Sequence, residues 1–409
     1  MNTIQPALIK IILPSYLWSI TGIGDVNADT QEDVVVGTAN NEIHCFSGGS
    51  AFGVGIELWK VILDDDVWAL SSINDINNDG CREVIAGTAG NKILCLSGQS
   101  GGELWRYSAK SDIFAVVRFS DMSQDGKDEV IAGGYGNLIL CIEGESGNAL
   151  WTFDVESTVW TLSTIEDLDG DGIRDILAGT DGGSLICLSG SLSPDNREIC
   201  RFQAIKDIRT IKVSGDVLGD SFTDVFCGSA DNYLYLCNGK TGDLIWGKNM
   251  SGELFSLDLV QDLTCDKKEE IICGTQMSSV HCLSGGNGRA LWHYPFEDMG
   301  DIKHLASVPD NTGDDISEII ATSTNNIVVC LDGSAAIATG SCIIGDSDCD
   351  EKAGLEDALL TIQILSGIRN LSDQDASGLC ELGDANHDGW VTLEDIILVL
   401  RFLSSSEIS

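Results

Sequence analysis

The sequence predicts an all-β seven-bladed β-propeller with a small C-terminal α-helical calcium-loop domain. Three observations carry this expectation. A unit of 46 to 50 residues recurs seven times, each unit reads as four short strands, and two loop–helix copies follow the last unit.

The repeat comes first because it decides the architecture. A landmark Asp falls at Asp25, Asp75, Asp121, Asp167, Asp216, Asp262 and Asp310, and a landmark Cys at Cys45, Cys95, Cys141, Cys187, Cys237, Cys282 and Cys330. Two independent markers keep one period. In the second copy the strands read WALSSI, EVIAGT, KILCLS and ELWRYS, bounded by Gly, Asn and Asp turns. Four strands per unit at this period is the arithmetic of a propeller blade.

The last unit holds three strands (304–308, 318–323 and 327–332) and lacks its fourth. Ala7–Trp18 superposes without a gap on Glu57–Trp68, so the N-terminal strand 7–15 is expected to close blade seven and complete a propeller over 7–332. On that reading no blade is left short of its outer strand, and any export signal would lie upstream of Met1. A small-residue linker spans 333–342, and a calcium-loop module spans 343–405.

Composition narrows the function. Lys and Arg total 23 against 64 Asp and Glu, a net charge of -41. Such a surface repels phosphate backbones and anionic lipid, so nucleic-acid partners are not expected and cations are. A hydrophobic content of 43% with nine Trp excludes a disordered acidic tail. No apolar run reaches the roughly 18–20 residues of a membrane span, so no membrane insertion is expected. The N-terminus does not read as a signal peptide. The propeller is expected to be monomeric.

The turn between first and second strands carries oxygen ligands at relative positions 1, 3, 5 and 9. These are Asp25, Asn27, Asp29, Asp33; Asp75, Asn77, Asp79, Glu83; Asp121, Ser123, Asp125, Glu129; and Asp167, Asp169, Asp171, Asp175. Blade six gives Asp262, Thr264, Asp266, Glu270 and blade seven Asp310, Thr312, Asp314, Glu318. Blade five has Asp216, Asp220 and Asp224 but Leu218 at the third position. Alternate residues of a tight loop point inward and surround one hard cation, and a later carboxylate closes a shell that suits Ca²⁺. Turn preference of Asp, Asn and Gly is the competing account of any single loop.

The C-terminal loops carry the same chemistry. Asp384, Asn386, Asp388 and Asp395 match EF-hand spacing with Gly389 at the turn. Asp346, Asp348, Asp350 and Asp357 match too, although Glu351 replaces the turn glycine.

Immediately before the first strand of each blade stands Trp18, Trp68, Phe114, Trp160, Arg209, Phe255 or Lys303. One position repeated around a ring makes a collar at the mouth of the central channel, opposite the acidic loops. Two readings differ in exposure: rings wedged between blades, or a platform for a ligand such as a sugar.

The seven strand cysteines read as small buried hydrophobes. A Cys342–Cys380 bridge is open, with Cys349 also bordering the C-terminal module. The five His share no zinc or triad spacing, and no nucleophile elbow, phosphate loop or dinucleotide fingerprint appears. No catalytic residue is assigned.

Three resemblances follow from these residues. The acidic loops resemble the calcium loops of FG-GAP repeats, and the GxxxxxxCLSGxSGxxLW half of each blade resembles the quinoprotein (PQQ-like) propeller repeat. The chain has no adjacent Cys pair of the kind quinoprotein dehydrogenases set against their cofactor, so PQQ is not expected. The loop–helix pair resembles a type I dockerin, which implies calcium-dependent folding and a cohesin-like partner. In that family loop positions 10 and 11 help choose the partner; here they are Leu355, Glu356 and Leu393, Glu394. Together these imply an extracellular or periplasmic, non-catalytic binding or scaffold protein attached to a cohesin, in a setting of polysaccharide handling. The alternatives are a rhamnogalacturonan-lyase-like enzyme on polysaccharide and a periplasmic assembly scaffold like the quinoprotein-type propellers. A plain calcium-stabilised helical pair without a partner is the alternative for the module.

Overall fold

In a computed structural model, the structure describes residues 9–12, 17–30, 32–47, 56–192, 197–264, 266–296, 300–308, 317–325 and 327–331. Every regular element among them is a β-strand. The strands form seven four-stranded antiparallel sheets. Six are built from consecutive strands. Blade two, for example, runs Val67–Ile73, Glu83–Thr88, Lys92–Leu96 and Glu103–Ser108 from inside to outside.

The seventh sheet joins the two ends of the ring. Ile302–Val308, Glu318–Ser323 and Ile327–Leu331 supply three strands, and Ile9–Ile12 pairs antiparallel with the last of them, Ile9 opposite Cys330 and Ile12 opposite Ile327. The edge that Ile327–Leu331 would otherwise present is thereby covered.

Burial follows strand position. The second strand of blade two is buried at all six residues, whereas the outer strand Glu103–Ser108 buries only Trp105. A sheet packed on both faces reads as an unbroken apolar run, and an edge strand alternates. The core therefore lies between blades: Ile73, Ile85 and Ile93 of blade two pack with Ile113, Val130 and Ile142 of blade three.

Two repeat residues set how closely blades approach. A Cβ added at Gly87 would lie 2.5 Å from Ile113 Cγ2, and one at Gly133 would lie 2.8 Å from Val159 Cγ1. These second-strand glycines are thus sockets for the next blade's first strand. Further out, Trp59 Nε1 donates to Gly98 O at 2.7 Å and Trp105 Nε1 to Gly144 O at 2.7 Å. The Leu–Trp signature of the outer strand laces each of these blades to its successor.

Candidate metal loops and aromatic collar

Each first strand runs from the collar position at one end of the ring to an acidic loop at the other. In the loop, the position-1 carboxylate closes the turn by accepting backbone N–H groups: Asp75 from Asn78 (2.6 Å) and Gly80 (2.9 Å), Asp167 from Gly170 (2.6 Å) and Gly172 (2.7 Å). Those bonds, Gly172's first, hold the Asp167 carboxyl below the usual carboxylate range. Three loops bring carboxylates together with ligand atoms within 4.8 Å of one another: Asp75, Asp79 and Glu83; Asp167, Asp169 and Asp175; Asp262, Asp266 and Glu270.

The position-9 carboxylate does more than the spacing suggests. Glu270 accepts from Leu263 N at 2.8 Å and Thr264 N at 2.9 Å through Oε1, and from Gly285 N at 3.2 Å through Oε2. Glu83 does the same with Ile76, Asn77 and Gly98. Both are fully buried. Burial pushes Glu270 up to about 7 and Asp175 up to about 6. The peptide so clamped is also a lacing point, because Gly285 O receives Trp246 Nε1 at 3.3 Å. Position 9 ties the acidic loop to the seam between blades, and in Glu83 and Glu270 the Oε2 atom, with one N–H donor, keeps a lone pair for a cation.

The other predicted residues fall as follows. In blade one, Asp29 accepts from Asn27 Nδ2 (3.0 Å) and Ser47 Oγ (2.8 Å), and Asp33 accepts from Val26 N (2.8 Å) while Asp25 accepts from Thr30 N (2.8 Å). In blade three, Asp121 accepts from Gly126 N (2.8 Å), Asp125 from Lys127 N (2.7 Å) and Glu129 from Met122 N (2.8 Å). In blade four, Asp171 accepts from Ile173 N at 2.8 Å. Blade five turns with Leu218 exposed and Asp224 buried. Asp310, Thr312 and Asp314 lie outside the described residues, and only the backbone of Glu318 is described. The linker 333–342 and the whole module 343–405 also lie outside them, with Asp346, Asp348, Asp350, Asp357, Asp384, Asn386, Asp388, Asp395, Leu355, Glu356, Leu393, Glu394, Cys342, Cys349 and Cys380.

Blade six shows why these donors fit a hard cation. Thr264 Oγ1 at position 3 and Asp266 Oδ2 at position 5 are buried without a hydrogen-bond partner among the described residues, as is Ser123 Oγ at position 3 of blade three. Orphaned buried oxygens are costly and uncommon. A divalent ion held by carboxylate and hydroxyl oxygens satisfies them, and oxygen-only ligation is the preference of Ca²⁺.

The collar has a backbone cause that spacing does not reveal. In all seven blades the first pair of strands slips register at the collar residue, as between Val67 and Ala69 around Trp68 and between Ile302 and His304 around Lys303. A bulge leaves one residue unpaired and re-aims its side chain. The re-aimed rings meet. Trp68 stacks on Phe114 at 4.7 Å, Phe114 on Trp160 at 4.7 Å, and Arg209 caps Trp160 at 4.0 Å. Trp18 meets Trp68 edge-on at 6.4 Å, and Lys303 sits 3.1 Å over Phe255.

All five aromatic collar residues are at least partly exposed, Trp18 at 37%. Both faces of Phe114 are covered by neighbours, so that part of the arc exposes ring edges rather than faces. Tyr135, exposed at a hairpin tip, packs edge-on against Phe114 at 4.7 Å. The sequence signal for it is YGN where blade two has AGN. Truncating Phe114 to Ala removes two stacked contacts from a half-buried site. We expect a loss of about 2 kcal/mol in denaturant unfolding; a loss below about 0.5 kcal/mol would mean the stack contributes nothing.

Two histidines that share no zinc or triad spacing in the sequence meet across a sheet. His281 and His293 are cross-strand partners in blade six, with ring centroids 5.7 Å apart. Burial, and the charge of His293 after it, lower His281 from 6.5 to about 4. The folded state favours the neutral ring, so this contribution is present above the unfolded pKa of 6.5 and is lost as pH falls toward 4. Between pH 7 and pH 4.5 the wild type should lose about 1–2 kcal/mol more than His281→Phe. Parallel pH curves for the two proteins would contradict the assignment.

No protein-family model matches the chain, and no curated protein is similar to it. Solved structures are similar in fold. BBS1N in complex with ARL6DN aligns with a TM-score of 0.60 at 11% identity over 82% of this chain and 99% of that one. The WD40 β-propeller domain of Doa1 aligns at 0.56 and 13%, over 79% and 95%. BamB from Moraxella catarrhalis aligns at 0.51 and 16%, over 80% and 96%. At these identities the likeness is one of fold, and with the seven sheets it makes the described chain a β-propeller, an architecture compatible with a non-catalytic binding or scaffold role.

Proposed function

We propose that the protein is a calcium-stiffened propeller that works as a non-catalytic binding or scaffold protein outside the cytoplasm. The observation that carries the proposal is blade six, where oxygens at positions 3 and 5, buried and without a hydrogen-bond partner among the described residues, stand beside the Asp262 and Glu270 carboxylates. Blades two and four repeat the carboxylate grouping. Calcium tightens loops whose position-9 clamps reach the seams, so metal stiffens the ring as a whole. The C-terminal module, dockerin-like in sequence, attaches this ring to a cohesin-like partner. The collar end is the surface left to contact carbohydrate or protein, and BBS1N in complex with ARL6DN is an instance of a similar ring engaged with a partner.

The polysaccharide-lyase alternative needs a basic group free to work in a cleft. Arg209 is held by Asp207 at 2.6 Å and by Trp160, and Lys303 by Asp301 at 3.4 Å and by Phe255. Their engagement favours the binding role.

Calcium titration followed by calorimetry tests the core of the proposal. Each site held at 100 times its dissociation constant adds about 2.7 kcal/mol, so excess chelator should lower the melting temperature by several degrees. An unchanged melting temperature in chelator would remove the metal from the account. Glycan-array binding with a turnover assay on acidic polysaccharides separates binding from catalysis.

A further inference from the structure

Blade four departs from the lacing of its neighbours. Where the outer strands of blades one, two, three, five and six carry a tryptophan, its strand Glu198–Gln203 carries Cys200. In the repeat, the strand cysteine faces that tryptophan across the sheet: Cys45 opposite Trp59, Cys95 opposite Trp105, Cys141 opposite Trp151. In blade four the same register places Cys187 directly opposite Cys200. A cross-strand pair of this kind holds its Cα atoms about 4.5–5.5 Å apart, inside the window a disulfide needs. Each thiol acts on the other, raising Cys187 and lowering Cys200.

We propose that Cys187 and Cys200 form a cross-strand disulfide when the protein meets a disulfide oxidant, and that this bond changes how blade four is held. In the thiol state Cys200 S–H donates to Gly239 O at 3.5 Å, at the place where Trp246 donates to Gly285 O in blade five. That contact is the lacing from blade four to blade five. On the other side, Trp151 Nε1 of blade three is buried without a hydrogen-bond partner among the described residues. Among the described residues neither seam of blade four carries the indole–carbonyl bond, Arg197 packing 3.9 Å over the Trp151 ring instead, and it alone among the described blades has a thiol pair in this register.

Cys187 is buried with its thiol pushed up, and Cys200 is half-buried with its thiol held below its ordinary range beside Cys187. Cys200 is therefore the entry point. Its thiolate attacks one sulfur of a small disulfide, releasing one thiolate, and a mixed disulfide forms on Cys200. The Cys187 thiol, giving its proton to solvent, then attacks the Cys200 sulfur and displaces the second thiolate. Two protein thiols are oxidised and one small disulfide is reduced to two thiols. The product clasps the outer strand to its neighbour within blade four. It also removes the S–H donor from Gly239 O, so oxidation exchanges a tie between blades for a covalent bond within one.

The test uses the full chain, reduced, desalted and then incubated with glutathione disulfide. The expected product has lost about 2 Da, with a non-reduced digest linking the Cys187 and Cys200 peptides. Its melting temperature should rise by about 5 °C over the reduced protein. Cys200→Trp restores the repeat residue and should fold, melt as the reduced protein or higher, and show no oxidant-dependent rise. Cys200→Ser serves if the larger side chain does not fit. A stable glutathione adduct on Cys200 with Cys187 still open to alkylation after unfolding overturns the proposal, as does linkage of Cys200 to a different cysteine.

Discussion

Glu270→Ala should lower the unfolding free energy by about 4 kcal/mol and the melting temperature by about 10 °C in chelator, and by more in calcium, where the metal's contribution is lost as well. The side chain is fully buried and accepts three backbone N–H groups, from Leu263, Thr264 and Gly285. Removing it leaves three donors in a dry seam, at about 1–3 kcal/mol each before water and relaxation recover part of the cost. Whole domains are stable by only about 5–15 kcal/mol. Asp262→Ala supplies the contrast: its partly exposed carboxylate closes the turn, accepting from Thr264 N at 3.0 Å, Asp266 N at 3.2 Å and Lys267 N at 2.8 Å, where water can replace it. That variant should lose the calcium-dependent stability and keep most of what remains in chelator. Chemical denaturation of both variants under both conditions decides the matter. A Glu270→Ala protein less than about 1 kcal/mol weaker than wild type in chelator would show that the clamp is dispensable and that position 9 serves the metal alone.

That double role marks the limit of what spacing conveys. The period was readable because Asp at the loop and Cys in the third strand are single residues at fixed offsets. The four strands were readable because second strands such as EVIAGT are apolar throughout and outer strands such as ELWRYS alternate. Glu83 and Glu270 were readable as carboxylates near a cation, but their capture of N–H groups from the third-strand turn joins residues fifteen apart across a sheet. Nothing local encodes that pairing. The collar was legible as a repeated position and illegible as a bulge, because a register slip belongs to two strands at once. Trp68, Phe114, Trp160 and Arg209 looked like separate candidates facing a channel; folding stacks each on the next. Cys200 carried a signal that the period itself supplies, since it stands where five other blades have tryptophan. Its pairing with Cys187 emerges only from register.

Deleting residues 1–15 should have the largest effect of any change considered. It removes Ile9–Ile12, the outer strand of blade seven, and with it four cross-strand pairs to Ile327–Leu331. The damage exceeds the loss of one short strand for two reasons. First, the pairing is the covalent chain's means of closing a ring whose two ends are otherwise held only by packing between blades. Second, the freed edge exposes the backbone N–H and C=O groups of IVVCL, an apolar β-branched segment with no charge to discourage pairing with another chain. We expect the truncated protein to aggregate, or to melt at least about 10 °C lower and broadly. Adding a peptide of residues 5–16 in excess should restore part of the loss by strand addition. The complementary deletion of 343–409 leaves the described sheets intact and should melt close to the full chain, because no strand of the ring comes from that segment. Size-exclusion chromatography and calorimetry of the two truncations, side by side, give the answer. An N-terminal truncation that stays monomeric and melts with wild type would mean that packing between blades alone closes the ring, and that Ile9–Ile12 merely rests on an edge already secure.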